Sequence, residues 1–206
     1  MNNIKFRKID IKNDNTHIIA SWIYSTDIPL FKQLFGKDES DSINAIDKLI
    51  HLENNSYSHN FIDVAYYTNN PSEILGIIVS FKGSDINLKK ELKDFYNTKY
   101  SNILSILCFP FINYFQASHI KPTDYYVGNL YVNDEYRGKG LGKVLVNKSK
   151  ELYKKQGCNR LLLDVAINKK TLPDFYKKLG LKKCSKNYLT IMGKQYGSIG
   201  MEYKEE

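Results

Sequence analysis

Apolar positions recur along this chain with two periods, and the switches between them mark its elements. Alternation around Ile4 to Ile9, Phe61 to Tyr67 and Ile74 to Phe81 predicts three strands, with Asn69-Asn70-Pro71 as the turn between the last two. Helical spacing predicts helices near His17 to Tyr24 and Ser42 to Asn54. A β-branched and aromatic run, Tyr125 to Val132, then gives way to Leu141, Val144, Leu145, Leu152 and Tyr153 at helical spacing, until Gly157 stops the pattern. A further strand is expected over Arg160 to Ala166 and a helix over Leu172 to Leu179, with Thr171 as N-cap, Pro173 in its first turn and Gly180 at its end. Two terminal strands follow, around Lys182 to Ile191 and Gly200 to Lys204. Between the third and fourth strands, Asp85 to Ile120 reads as a helical insertion. Leu88, Leu92 and Phe95 share one face of it, and Ile103 to Phe115 would pack against the core, a substrate wall or another subunit. The expected fold is a mixed α/β sheet layered by helices, forming one domain over residues 1–206.

The junction between the Tyr125 to Val132 strand and its helix carries the clearest chemistry. Arg137-Gly138-Lys139-Gly140-Leu141-Gly142 places three glycines where a strand turns into a helix. Glycines tolerate positive φ and let main chain approach an anion closely, and a first helical turn adds unpaired N–H groups at the positive end of the helix dipole. The expected ligand is a pyrophosphate held by backbone. Other phosphate loops fit less well. A Walker loop needs four residues between its first glycine and Gly-Lys, followed by Ser or Thr, whereas three residues separate Gly138 from Gly142 and Val144 follows Lys143. A dinucleotide fingerprint reads G-x-G-x-x-G early in a long βαβ array, whereas this loop reads G-x-G-x-G. A purely structural glycine turn is the plain alternative.

A second motif follows in order: Asn168, then a helix carrying Phe175-Tyr176-Lys177-Lys178-Leu179 before Gly180. Together the two motifs resemble the GNAT superfamily of acyl-CoA-dependent N-acetyltransferases, whose acceptor loop reads Q/R-x-x-G-x-G/A and whose later helix carries a tyrosine in L/F-Y-x-K-x-G-F. The resemblance covers about Tyr125 to Leu181. It implies a GNAT-like fold whose fourth and fifth strands are parallel and splayed, with acetyl-CoA as cosubstrate and no metal. It also implies that Arg137, Gly138, Lys139, Gly140, Leu141, Gly142 and Lys143 hold the coenzyme A pyrophosphate. The main chain of Leu130, Tyr131 and Val132 would pair with pantetheine, and the Val132 N–H would polarise the thioester carbonyl. Asn168 would add a pantetheine hydrogen bond, and Tyr176 would protonate the departing thiolate. Two departures stand out. Asn168 lies eight residues before Tyr176 where seven is usual, and Asn129 stands where many relatives carry a glutamate base. An amide cannot take a proton, so Glu135, Asp134, His119, Glu53 and Asp27 become candidates for that task. The implied activity is acetyl transfer to a primary amine by direct attack in a ternary complex; a noncatalytic acyl-CoA-binding or sensing module is the alternative. Trp22, Tyr24, Phe31, Tyr188 and Tyr196 are candidates for the acceptor wall, serving a small-molecule or peptide amine.

Composition changes this picture little. The formal charge of +8 and 13% aromatic content invite a nucleic-acid reading, but no nucleic-acid motif accompanies them. Lys143, Lys148, Lys150, Lys154, Lys155 and Arg160 instead cluster beside the proposed pyrophosphate site, where they would attract an anionic cosubstrate or simply be solvated. Cys108, Cys158 and Cys184 are widely spaced and odd in number, and the four histidines form no ligand-spaced set with them. With no secretory pattern in Met1 to Asp10, a reduced, metal-free cytoplasmic protein is expected. Tyr100 to Ile120 contains no charged Asp, Glu, Lys or Arg, yet polar residues and Pro110 interrupt it, so no membrane span is expected. A homodimer through the terminal strands or the insertion is a further expectation.

Overall fold

The computed structural model describes residues 3–36, 38–100, 117–191 and 194–205. Its strands are β1 (Ile4–Lys8), β2 (Ile62–Tyr67), β3 (Asn70–Lys82), β4 (Asp124–Val132), β5 (Arg160–Ala166), β6 (Lys182–Ile191) and β7 (Lys194–Tyr203). Its helices are α1 (Thr16–Thr26), α2 (Ile28–Phe35), α3 (Glu39–His51), α4 (Leu88–Asn97), α5 (Leu141–Lys155) and α6 (Leu172–Lys178). The strands form one sheet in the order β1-β2-β3-β4-β5-β7-β6. Only β4 and β5 run parallel, joined by the crossover through α5; the other neighbours are antiparallel.

Alternation along the strands sends side chains to two apolar layers. Ile62, Val64, Ile77 and Val79 face α1, α2, α3 and Phe95 of α4, with Tyr131 of β4 at the margin. On the opposite face, Tyr125, Val127, Leu161, Leu163 and Val165 pack on Leu141, Leu145 and Val146 of α5 and on Tyr176 of α6. The sheet is thus a partition between two chambers, each closed by helices.

The β4–β5 contact is short and clamped at one end. Pairing runs from Asp124↔Arg160 to Val127↔Leu163 and stops there. At its first pair the side chains close a bidentate ion pair, Arg160 Nε and Nη2 each 2.9 Å from the Asp124 carboxylate. Asp124 is buried, and burial alone would raise its carboxyl; the Arg160 fork and the Lys121 N–H outweigh that and hold it below its ordinary value. At the other end, Val79 pairs with Asn129 while Ser80 pairs with Val127, so Gly128 is an extra residue in β4. This bulge bends β4 away from β5 as their pairing ends.

Most predicted elements appear where the periodicity puts them, and β4 and β5 are parallel and part after four pairs, as the family resemblance implies. Four differ. The helix α2 follows Asp27 as a separate element; its Asp-x-Pro start and the apolar spacing of Phe31, Leu34 and Phe35 are a readable signal that the pattern of α1 overshadows. The β2–β3 turn is Thr68-Asn69, with Asn70 and Pro71 already in β3, where β4 does not reach and Pro71's missing N–H breaks no ladder. The α3 helix begins at Glu39 and ends at His51, earlier at both ends than expected. Strand β7 begins at Lys194 rather than near Gly200, because Gly197 and Gly200 dilute the strand pattern without interrupting the ladder to β6. Of the Asp85 to Ile120 insertion, α4 lies within the described residues, whereas 101–116, including Cys108, Pro110 and most of Ile103 to Phe115, lie outside them.

Replacing Arg160 by Met would strand a buried carboxylate at the closed end of the split. Urea denaturation at neutral pH is expected to show a loss of about 3 kcal/mol. Since the clamp lowers the Asp124 carboxyl, its contribution is present above the ordinary carboxylate range and is lost as pH falls through the depressed folded value. The variant should therefore show a weaker acid dependence than wild type across that interval.

Candidate functional site

Past Val127 and Leu163, β4 and β5 diverge, and among the described residues no strand pairs with β4 on that side. The Asn133 N–H donates to the Leu75 carbonyl at 2.9 Å, making Leu75 and Asn133 a hydrogen-bonded position on the β3–β4 ladder. Antiparallel alternation then turns Tyr131 toward β3 and leaves Leu130 and Val132 with N–H and C=O directed into the gap. The Val132 carbonyl is engaged there by Arg137 Nε at 3.2 Å. Arg137 also pairs with Asp134 at 2.6 Å and lies 5.2 Å from the Tyr131 ring, so it braces the end of β4.

The glycine corner closes the same gap from below. Gly138 and Gly140 have φ of +74° and +79°, conformations that cost other residues about 1–2 kcal/mol. Gly142, in the first turn of α5, would bring an added Cβ to 3.3 Å from the Phe175 ring of α6, so its small size lets α5 and α6 meet closely. Among the described residues, the N–H groups of Gly138, Lys139, Gly140, Leu141 and Gly142 donate to no protein acceptor, while Lys143 and Val144 both donate to the Gly140 carbonyl. Five successive free donors therefore stand at the positive end of a fifteen-residue helix. Lys139 folds back to the Glu135 carbonyl at 3.0 Å. A recess of about 580 Å³ lined by Ile4, Tyr67, Leu75, Tyr136, Lys139 and Leu141 adjoins the corner on the side away from β5.

The lysines expected around the corner are mostly occupied further along. Lys143 stands in the first turn, but Lys148 pairs with Glu151, Lys150 donates to the Leu179 carbonyl, Lys154 pairs with Glu205 and Arg160 sits in the Asp124 clamp. At 1.5 Å per residue, Lys154 lies roughly 20 Å along the helix from its start.

Tyr176 enters the α5 chamber from α6 and is 8% exposed. Its hydroxyl makes no hydrogen bond to a described residue, its ring meets Phe175 edge-on at 5.2 Å, and burial pushes its pKa up to about 12. Such a phenol is protonated throughout the working range and is a proton donor. Asn168 lies in the exposed turn after β5, where its side chain makes no hydrogen bond to a described residue.

On the other face, one corner spans the split. Asn129 Nδ2 donates to Thr26 Oγ1 at 2.6 Å, and Lys169, after β5, donates to the Thr26 carbonyl at 2.6 Å. Thr26 ends α1 and Asp27 caps α2, accepting from the Leu30 N–H at 3.3 Å. Burial raises the Asp27 carboxyl, with the Leu30 N–H and the Lys169 charge opposing. Asp164 of β5, which like Asp27 acts on the Tyr126 phenol, accepts from Ser118 Oγ at 2.7 Å and from Tyr126 Oη at 3.5 Å; burial raises its carboxyl too. Of the candidate bases, Asp27 alone stands at this corner. Asp134 and Glu135 lie on the turn before the glycine corner, Glu53 follows α3, and His119 lies near the Arg160 clamp at the closed end. Of the candidate acceptor aromatics, Trp22 stacks on Tyr131 at 5.3 Å, while Tyr24 and Phe31 are core residues. Tyr188 is exposed beneath Lys186 on β6, and Tyr196 pairs with Leu189 on the β6–β7 hairpin. Thr26, Lys169 and Asp164 escaped the sequence reading, although a carboxylate inside the apolar run Leu161-Leu162-Leu163-Asp164-Val165 is itself a signal.

A diverging parallel pair with inward-facing main chain, ending on a ring of free amides, is a specific arrangement, and comparison with known proteins agrees with it. The acetyltransferase (GNAT) family model matches residues 31–181. The chain belongs to this family. A bovine (Bos taurus) thialysine N-epsilon-acetyltransferase is 39% identical over 67 residues, covering 32% of this chain and 39% of that protein. A putative [ribosomal protein bS18]-alanine N-acetyltransferase of Bacillus subtilis (strain 168) is 35% identical over 72 residues, covering 34% and 48%. The matched stretch thus spans less than half the length of either relative. A crystal structure of an acetyltransferase shares the fold across 98% of this chain and 100% of its own, with a TM-score of 0.66 and 18% identity. Within this GNAT protein, the described residues include no helix long and apolar enough to cross a membrane.

Because the Tyr176 hydroxyl bonds to no described residue, Tyr176→Phe is expected to leave folding stability within about 0.5 kcal/mol of wild type, read from the urea midpoint. A larger loss would give the hydroxyl a structural role.

Proposed function

We propose that this GNAT protein transfers the acetyl group of acetyl-CoA to a primary amine by direct attack in a ternary complex. The observation that carries the reading is the alignment of two sets of unused donors: the β4 main chain of Leu130 and Val132 in the strand gap, and the Gly138 to Gly142 amides at its end. The residues fit the cosubstrate in charge and shape. The amides suit a pyrophosphate, and the open β4 edge suits an amide-containing arm that adds as a partial strand.

In this reading Leu130, Tyr131 and Val132 position the arm, and the Val132 N–H stabilises the oxyanion as the amine adds to the thioester carbonyl. Arg137 holds β4 in place through the Val132 carbonyl, and Lys139, Leu141 and Lys143 shape the corner. Tyr176 gives its proton to the departing thiolate, whose ordinary pKa of about 8.5 lies below that of the buried phenol, so the transfer is favoured by position and by the dry setting rather than by acidity. Asn168 has the exposure to meet the arm after it leaves the gap. No covalent enzyme intermediate is needed. The relatives support an amine acceptor, an N-epsilon amine of thialysine in one and an alanine of a ribosomal protein in the other. The cysteine usage supports a cytoplasmic setting.

The Asn129 tether to Thr26 favours a second reading, an acyl-CoA-binding or sensing module, because it occupies the position of a family base with a structural hydrogen bond. Thiol release from acetyl-CoA in the presence of lysine, spermidine and an alanine-initiated peptide separates the two. Turnover with any of these is expected; tight binding with no turnover would support the sensing role instead. Tyr176→Phe is expected to lower kcat by about 100-fold. Calorimetric affinity for acetyl-CoA should change less than roughly threefold, under 1 kcal/mol.

A further inference from the structure

The acetyl-transfer reading leaves one step without an agent. An alkylammonium, with a pKa near 10.4, must lose a proton before it can attack, and Asn129 cannot accept it. We propose that Asp27 binds the acceptor's ammonium group on the α1–α2 side of the strand gap and takes its proton. The inference rests on the acetyl-transfer reading and adds the acceptor's chemistry: a cationic primary amine entering from the face opposite the coenzyme.

Position is the first argument. Thr26 is tied to both banks of the split, to β4 through Asn129 and to the segment after β5 through Lys169, so the next residue stands over the opening. The β4 residue Asn129 lies on the α1 face three positions before Val132, which places the corner beside the main chain proposed to hold the thioester. Free acceptor capacity is the second. Asp164 is already supplied by Ser118 Oγ, the Ser118 N–H and Tyr126 Oη. Among the described residues Asp27 receives only the Leu30 N–H, at a long 3.3 Å, and an ionised carboxylate can accept several more donors.

The surrounding groups set the chemistry. Lys169 faces Asp27 from the β5–α6 segment, Tyr57 from the α3–β2 segment and Tyr126 from β4; Asp164 of β5 acts on Tyr126 and Glu91 of α4 on Tyr57. The phenols are held neutral by burial, so among the described residues Lys169 is the one cation that acts on Asp27, and carboxylates stand behind both phenols, a setting that favours a cation. A carboxyl raised by burial is also a stronger base than a solvated one.

The step balances. The ammonium gives one proton to Asp27, which passes it to water. The freed lone pair forms the C–N bond, the C–S bond breaks as its electron pair leaves with sulfur, and the second nitrogen proton replaces the one that Tyr176 delivers to the thiolate.

Asp27→Asn keeps an N-cap acceptor for α2, as does Asp27→Ser. Both are expected to retain the wild-type melting temperature and calorimetric affinity for acetyl-CoA. With lysine, spermidine or the alanine-initiated peptide as acceptor, kcat/KM should fall by about 100-fold. The wild-type profile should lose activity as pH falls through the raised Asp27 value, and that acid limb should vanish in the variants. Variants within about threefold of wild type with an unchanged profile would overturn the assignment while leaving acetyl transfer intact. Wild-type protein that binds acetyl-CoA and acetylates none of these amines would overturn both.

Discussion

The structure turns on a parallel strand pair that is allowed to pair for only four positions. From Asp124↔Arg160 to Val127↔Leu163 the two strands share a ladder; beyond it the Gly128 bulge sends β4 outward while β5 continues along β7. A sheet with an opening in its middle exposes backbone polar groups that ordinarily must be satisfied, so the opening has to be stabilised by its surroundings. The Asp124–Arg160 clamp fixes the closed end, Arg137 secures the Val132 carbonyl at the open end, and Thr26 ties the two banks together from above. What is left over, a few N–H groups pointing inward, is the surface on which chemistry can occur.

The two faces of the sheet divide the labour. On the α5 side lie the glycine corner and Tyr176, groups suited to an anionic, thiol-bearing partner. On the α1 side lie Asp27 and Asp164, groups suited to a cation. The sheet stands between the glycine corner and the carboxylates of Asp27 and Asp164, and Asp134, on the turn before the corner, is paired with Arg137. Only at the split do the two sides communicate.

The glycine corner and the placing of Tyr176 on the α5 side were legible in the chain because they depend on local spacing. Glycines in a strand-to-helix turn, and a tyrosine placed before a helix-ending glycine, are short-range signals that sequence carries directly. The corner on the other face is assembled from residues far apart: Thr26, Asn129 and Lys169 meet only because α1 crosses β4 and the chain returns through β5. No periodicity announces such a meeting. The Gly128 bulge was equally silent, since one inserted residue changes the register without changing the apolar pattern that defines the strand. The lysine cluster taught the converse lesson: residues adjacent in sequence to the corner are carried away from it by the rise of α5 and are taken up by Glu151, Leu179 and Glu205.

Trp22 is the chain's only tryptophan, and its ring lies against Tyr131, the β4 residue between the two whose main chain faces the opening. Arg137 sits by the same phenol ring. A ligand hydrogen-bonded to Leu130 and Val132 would lie on the strand against which that indole rests. The molecule therefore carries an intrinsic optical probe next to its cleft, a single indole that can be followed without a label.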